Sequence, residues 1–156
     1  MSRKVVSTAI PAPVTTADRV VLEIRKFIAA SIFFNARAAE KAGLNLTDMQ
    51  LLHILQLEGP CTPSRLAEWT GLSSGGVTVA VDRLEKAGYI RRGANPADRR
   101  SLLITLLPAR LRKLAGMYEG VEAQTREQLD LLAPGDLDAV VRFFEAMQMV
   151  RGGRDG

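Results

Sequence analysis

The feature that most constrains this chain is a run of punctuation in its middle third. Gly59-Pro60, Thr62-Pro63, Gly71 and Gly88 cut about sixty residues into helical pieces of unequal length. Thr62 is an N-cap residue and Pro63 takes the first helical position, where its missing N–H costs nothing. Leu66 and Ala67 point inward, and Gly71 closes this short piece. The next helix opens at Ser73 or Ser74 and runs to position 87, with Gly88 placed for a left-handed cap. Val77, Ala80, Val81 and Leu84 repeat on one face of it. Residues 89–92 then read as a strand, Gly93-Ala94-Asn95-Pro96-Ala97-Asp98 as turn chemistry, and residues 101–107 as the return strand.

A short helix, a glycine turn, a longer helix and a polar hairpin, in that order, fit a winged helix-turn-helix. The second helix of such a pair enters the major groove while the first crosses the backbone. The exposed face of the longer helix carries Ser74, Gly75, Thr78, Val79, Asp82, Arg83 and Lys86. Ser74 and Thr78 suit base edges or phosphates, Gly75 permits close approach, and Val79 suits a thymine methyl. The hairpin tip ends in Asp98-Arg99-Arg100. Long cations on a projecting loop fit the narrow minor groove, and Asp98 is expected to stabilise the wing by holding one arginine in a bidentate pair.

Charge placement agrees. Residues 83–113 hold nine cations against Glu85 and Asp98, a formal +7, whereas residues 114–156 carry −4 and the whole chain +4. One surface is built to meet polyphosphate and the rest is not. A single cysteine, Cys61, excludes an internal disulfide, and with His53 as the lone histidine no ordinary zinc site can form. Neither a cofactor nor a metal is expected. The chain lacks an activated-nucleophile motif and a glycine-rich phosphate loop, so an enzyme is not expected. Lacking an apolar run long enough to span a bilayer or a signal-peptide core, the chain is expected in the cytoplasm, away from membranes.

Around the lobe stand three further helices and a fourth that opens it. The first begins after Thr15, with Thr15 and Asp18 spaced as a capping box. It carries Val20, Ile24, Phe27, Ile28 and Ile32 on one side and stops at Gly43. The second is expected to start at Thr47, with Gln50 completing a capping box and Leu46 and Leu51 forming a staple. Leu51, Leu52 and Leu55 form its buried side. Pro108 opens a long fifth helix whose stripe includes Leu111, Leu114, Tyr118 and Val121, and which Gly116 and Gly120 are expected to loosen. The Pro134-Gly135 break leads to a sixth with Leu137, Val140, Val141, Phe144 and Met147. Residues 1–14 are expected as a flexible arm and 151–156 as a frayed end.

These residues together resemble the MarR family of regulators. The resemblance lies in Leu46-Thr47, in Thr62-Pro63-Ser64-Arg65-Leu66-Ala67, in Leu72-Ser73-Ser74 and in Val77-Thr78 with Val81-Asp82-Arg83-Leu84-Glu85. It continues through Gly88-Tyr89-Ile90-Arg91-Arg92, Asn95-Pro96-Ala97-Asp98-Arg99-Arg100-Ser101 and Ile104-Thr105-Leu106. It implies one mainly α domain over 1–156. Within it, 46–107 is a winged helix-turn-helix lobe with a two-stranded wing, and 15–43 with 108–150 are the dimerisation helices. It further implies a homodimer that binds a pseudo-palindromic double-stranded operator, usually as a repressor, and is released by a small lipophilic or phenolic effector. The residues assigned to DNA are Thr62, Arg65, Ser73, Ser74, Gly75, Thr78, Val79, Arg83, Arg91, Arg99 and Arg100. Phe33, Phe34, His53 and Tyr118 are the candidates for bordering an effector pocket.

Two positions depart from the family pattern. Val79 stands where a basic base-contacting residue is common, and Leu107-Pro108-Ala109 replaces the usual polar residues and glycine after the wing. The valine motivates an alternative, a winged-helix interaction module or co-regulator with little sequence-specific DNA binding. Cys61 is expected as a passive, partly buried thiol, and His53 as a hydrogen-bonded structural residue.

Overall fold

The computed structural model describes residues 15–152. Six helices and one hairpin run in the order α1 (Thr16–Ala42), α2 (Leu46–Glu58), α3 (Pro63–Thr70), α4 (Ser74–Lys86), β1 (Ile90–Ala94), β2 (Leu102–Leu106), α5 (Pro108–Leu129) and α6 (Pro134–Gly152). They fall into two compact units, Met1–Leu106 and Leu107–Gly156. The division lies one residue before Pro108, whose fixed φ and missing N–H start α5.

In the first unit α1 opens on the expected capping box. Thr15 Oγ1 accepts from Asp18 N at 3.1 Å, and Thr15 N donates to Asp18 Oδ2 at 2.9 Å. It ends at Gly43, which is left-handed and donates its N–H to Ala39 and Glu40 carbonyls. The start of α2 differs from expectation. Its N-cap is Asn45, not Thr47, and Asn45 Oδ1 accepts from Asp48 N at 2.8 Å. Asparagine is among the strongest N-caps, so the helix begins before Thr47 rather than after it. That earlier start puts Asp48 in the first turn at a buried position, only 2% exposed.

The core of this unit is drawn from both helices and the sheet. Met49, Leu51, Leu52 and Leu55 of α2, Leu66 of α3, Val77, Val81 and Leu84 of α4, Ile90 of β1 and Ile104 of β2 are all buried, with α2 packed on α3, α4 and β2, and β1 on α4. The strands pair antiparallel from Ile90↔Leu106 to Ala94↔Leu102. The first strand lies one residue later than the sequence pattern suggests, because Tyr89 still belongs to the cap of α4. Its N–H donates to Leu84 O at 3.0 Å, and its hydroxyl donates to Ala42 O at 3.2 Å. Cys61 adds an unforeseen bridge to Ile104, with the N–H of each residue donating to the carbonyl of the other, at 3.2 and 2.9 Å. The sheet therefore also anchors the entry to α3.

Only Ala38 and Ala39 of α1 are buried. Its apolar stripe is open: Val20, Val21, Phe27, Ile28, Ile32 and Phe33 are all exposed. In the second unit α5 runs unbroken through Gly116 and Gly120. Helix α6 begins at Pro134 itself, not after the Pro-Gly pair, and is still helical at Arg151 and Gly152, where fraying was expected. Val141, Phe144 and Met147 are exposed on it. The arm at 1–14 and the last four residues, 153–156, lie outside the described residues. Among the described residues no helix is long and apolar enough to cross a membrane.

Candidate nucleic-acid interface

The helix-turn-helix is held by side chains that close its backbone ends. Thr62 Oγ1 accepts from Arg65 N at 3.3 Å and starts α3. Gly71 ends it at φ 69°, a left-handed turn that glycine adopts without a Cβ penalty. Thr70 Oγ1 donates to Leu66 O at 2.7 Å and accepts from Leu72 N at 3.2 Å, so the turn is tied from inside. Ser73 Oγ then accepts from Gly76 N at 3.1 Å and starts α4. Thr62 and Ser73, both assigned to DNA from sequence, thus carry a structural duty at the two helix starts.

Two arginines assigned to DNA are engaged within the protein. Arg83 makes a fork on buried Asp48, with Nη2 to Oδ1 at 2.7 Å and Nε to Oδ2 at 3.2 Å. Arg65 donates to Glu58 at 3.1 Å and to Glu68 at 3.1 Å, and its guanidinium lies 5.7 Å from the Trp69 ring centre. Arg92 of β1 is tied to α4. Its N–H and Nη1 reach Glu85 at 2.9 and 2.6 Å, and Nη2 pairs with Asp82. The carboxylates hold all three guanidinium pKa values above their ordinary one.

What remains open on this side of the lobe is short. Ser74, Gly75, Thr78 and Val79 are exposed along α4, Lys86 near its end, Arg91 on β1, and Arg99 and Arg100 at the wing tip. Thr78 Oγ1 donates to Ser74 O at 2.9 Å.

The wing tip is a hydrogen-bonded double turn. Asn95 Oδ1 accepts from Ala97 N at 3.0 Å, Asn95 Nδ2 donates to Ser101 Oγ at 2.8 Å, and Ser101 N donates to Asp98 O at 3.0 Å. Asp98 does not hold an arginine head as expected. Its Oδ1 accepts from the Arg100 backbone N–H at 3.0 Å instead. The local Asx turn wins because the amide is two residues away and already oriented, whereas a guanidinium would have to fold back. Among the described residues neither Arg99 nor Arg100 has an ion-pair partner, and both are exposed on this hydrogen-bonded tip.

Of the other sequence candidates, Phe33 is exposed on α1, while Phe34 and, on α2, His53 are half-buried. Tyr118 is half-buried on α5, in the second unit. Burial lowers the His53 pKa and raises that of Tyr118. Cys61 is buried, and burial followed by nearby Glu58 pushes its thiol up against the opposing pull of Arg65.

The family sequence model described as "MarR family" matches residues 42–101, from the end of α1 through the wing tip. The HTH-type transcriptional regulator YcgE of Bacillus subtilis (strain 168) is 35% identical over 119 residues, covering 76% of this chain and 77% of that one. The chain belongs to the MarR family. It is accordingly a DNA-binding transcriptional regulator with a winged helix-turn-helix. Solved structures share the fold. A MarR transcriptional regulator from Methanosarcina mazei Go1 superimposes with a TM-score of 0.61 at 16% identity, covering 85% of this chain and 95% of its own. BpsR of Bordetella bronchiseptica, whose DNA binding is regulated by 6-hydroxynicotinic acid, gives 0.54 at 21% identity, covering 87% and 97%.

Sequence reasoning missed the Asp48–Arg83 fork and the clasp of Arg92 on Asp82 and Glu85. Asp48 and Arg83 are 35 positions apart, so no local pattern signals the pair. The clasp on Arg92 had a usable signal, since Asp82 and Glu85 lie on one helix face immediately before the strand.

Proposed function

We propose that this MarR-family regulator is a cytoplasmic homodimeric repressor of a pseudo-palindromic double-stranded operator, released by a small lipophilic or phenolic effector. The observation that carries the DNA reading is the pair of cations, Arg99 and Arg100, exposed and without an ion-pair partner among the described residues, on a hydrogen-bonded wing that follows α4. In this reading α4 lies in the major groove with Ser74, Gly75, Thr78 and Val79 towards the bases. The wing arginines enter the adjoining minor groove, and Arg91 meets the backbone. Thr62 and Ser73 orient the two helices, Arg65 and Arg83 serve the lobe through their ion pairs, and Asp98 holds the wing tip through its turn. The open apolar stripe of α1 in the first unit and, by itself, the exposed Val141, Phe144 and Met147 of α6 in the second each support a second copy as partner, because large exposed apolar side chains grouped on one helix mark an interface. Two lobes then meet half-sites one helical turn apart, about 34–36 Å.

The effector part of the proposal rests on family membership and on BpsR; Phe33, Phe34 and His53 of the first unit are the candidate side chains there, and Tyr118 of the second unit is a separate candidate.

Selection of bound duplexes from a random pool by the purified chain tests the reading. Enrichment of a two-fold symmetric sequence, bound by a dimer and lost steeply as salt rises, is the expected result. Arg99→Ala with Arg100→Ala should then weaken binding severely and leave the dimer folded. Intact affinity in that double variant would refute the wing assignment. A pool that enriches nothing, beside a stable protein partner, would favour the interaction module that Val79 suggests.

A further inference from the structure

Side chains on the open face of α4 are largely committed inside the protein. The Thr78 hydroxyl donates to Ser74 O, Ser73 Oγ accepts from Gly76 N, Arg83 is forked on Asp48, and Asp82 is paired with Arg92. Val79 is the exception in kind: an apolar side chain, 54% exposed, in the middle of the stripe. Gly75 stands four residues before it, where even a Cβ would meet nothing within 4 Å. A helical side chain leans over the turn N-terminal to its own Cα. The Val79 methyls therefore lie over bare helix surface and form a smooth apolar spot beside the row of Ser74 and Thr78.

Of the groups that base pairs show in the major groove, the C5-methyl of thymine is the apolar one that projects far enough to meet such a spot. Against the guanine O6 and N7 or the cytosine amino group, this spot would displace water and return no hydrogen bond, which penalises those bases. With its proton given to Ser74 O, Thr78 offers a base only an acceptor. We propose that Val79 is a specificity-determining residue that reads a thymine methyl, one in each half-site. The inference rests on the operator-binding reading above.

The test uses the duplex enriched by the full-length chain. Each thymine is replaced in turn by deoxyuridine, symmetrically in both half-sites, which removes the methyl and nothing else. One position is expected at which the loss weakens binding about fourfold per methyl. Val79→Ala should lose that sensitivity and bind the uracil duplex as the parent does, a coupling that a merely structural role would not produce. Val79 is exposed and alanine is the better helix former, so the variant should keep the fold, which its circular dichroism checks. If parent and Val79→Ala respond alike at every position, the inference is overturned while operator binding stands. If no duplex is enriched, the operator reading falls and the inference falls with it.

Discussion

Removing either partner of the Asp48–Arg83 fork should destabilise the lobe, but unequally. The side chain of Asp48 is 3% exposed, whereas that of Arg83 is 45% exposed. Arg83→Met keeps most of the aliphatic stem and leaves a carboxylate buried without its cation. Breaking a fully buried pair in this way costs about 3–5 kcal/mol. Here water reaches the outer edge of the vacated site, which brings the expected cost to about 2–3 kcal/mol. Asp48→Asn leaves a guanidinium that can turn into solvent, and removes an acidic group from the first turn of α2. That change, with the missing charge-assisted bonds, should cost about 1–2 kcal/mol. The double variant should cost less than the two singles summed, because the unpaired carboxylate is then absent. Urea unfolding at fixed protein concentration and pH 7 measures all three. If Asp48→Asn proves as costly as Arg83→Met, or the two effects simply add, the reasoning from unequal burial is wrong.

Three further outcomes follow from the same geometry. Arg92→Ala removes both guanidinium pairs, with Glu85 and with Asp82, leaves the backbone N–H on Glu85, and should cost about 1–2 kcal/mol; faster amide exchange confined to the hairpin is the signature, and unchanged exchange counts against the clasp. His53 titrates below its ordinary 6.5 because of burial, so the unfolded chain takes its proton first. Stability should therefore fall as pH drops through about 6.5, and less so in His53→Gln, if that variant folds; parallel profiles would refute it. Cys61 is buried with its thiol pushed up, so iodoacetamide at pH 8 should modify the native chain more slowly than the urea-unfolded one. Equal rates would show that the thiol is open.

Much of the fold was legible because local chemistry repeats what the tertiary structure needs. Thr15 with Asp18, Thr62-Pro63, Gly71 and Gly88 each mark a helix end by a backbone requirement that acts within four residues. Thr47 misled because two good caps stand close together, and Asn45, the stronger cap, closes the helix start on Asp48 N. The wing tip was legible as a turn, but not in detail. Asp98 had two partners within reach, and only the folded geometry decides for the Arg100 amide over a guanidinium.

The charge count shows the same limit, and it changes where affinity should reside. Residues 83–113 carry a formal +7, yet Arg83 and Arg92 are neutralised by Asp48 and Asp82, which lie outside that window, and by Glu85 within it. Within the first unit the cations of that stretch that remain open are Lys86, Arg91, Arg99 and Arg100, at the end of α4, on the strand and at the wing tip. The first two turns of α4 hold none. Attraction to the phosphates should accordingly come from the wing side, and discrimination between bases from the nearly neutral helix. The two are separable by salt. Arg99→Ala or Arg100→Ala should flatten the dependence of log K on log salt by roughly one unit for each phosphate no longer neutralised. Val79→Ala should change which duplexes bind and leave that slope alone. A slope that falls with Val79→Ala, or stays fixed when both arginines are gone, would mean that pull and reading are not divided in this way.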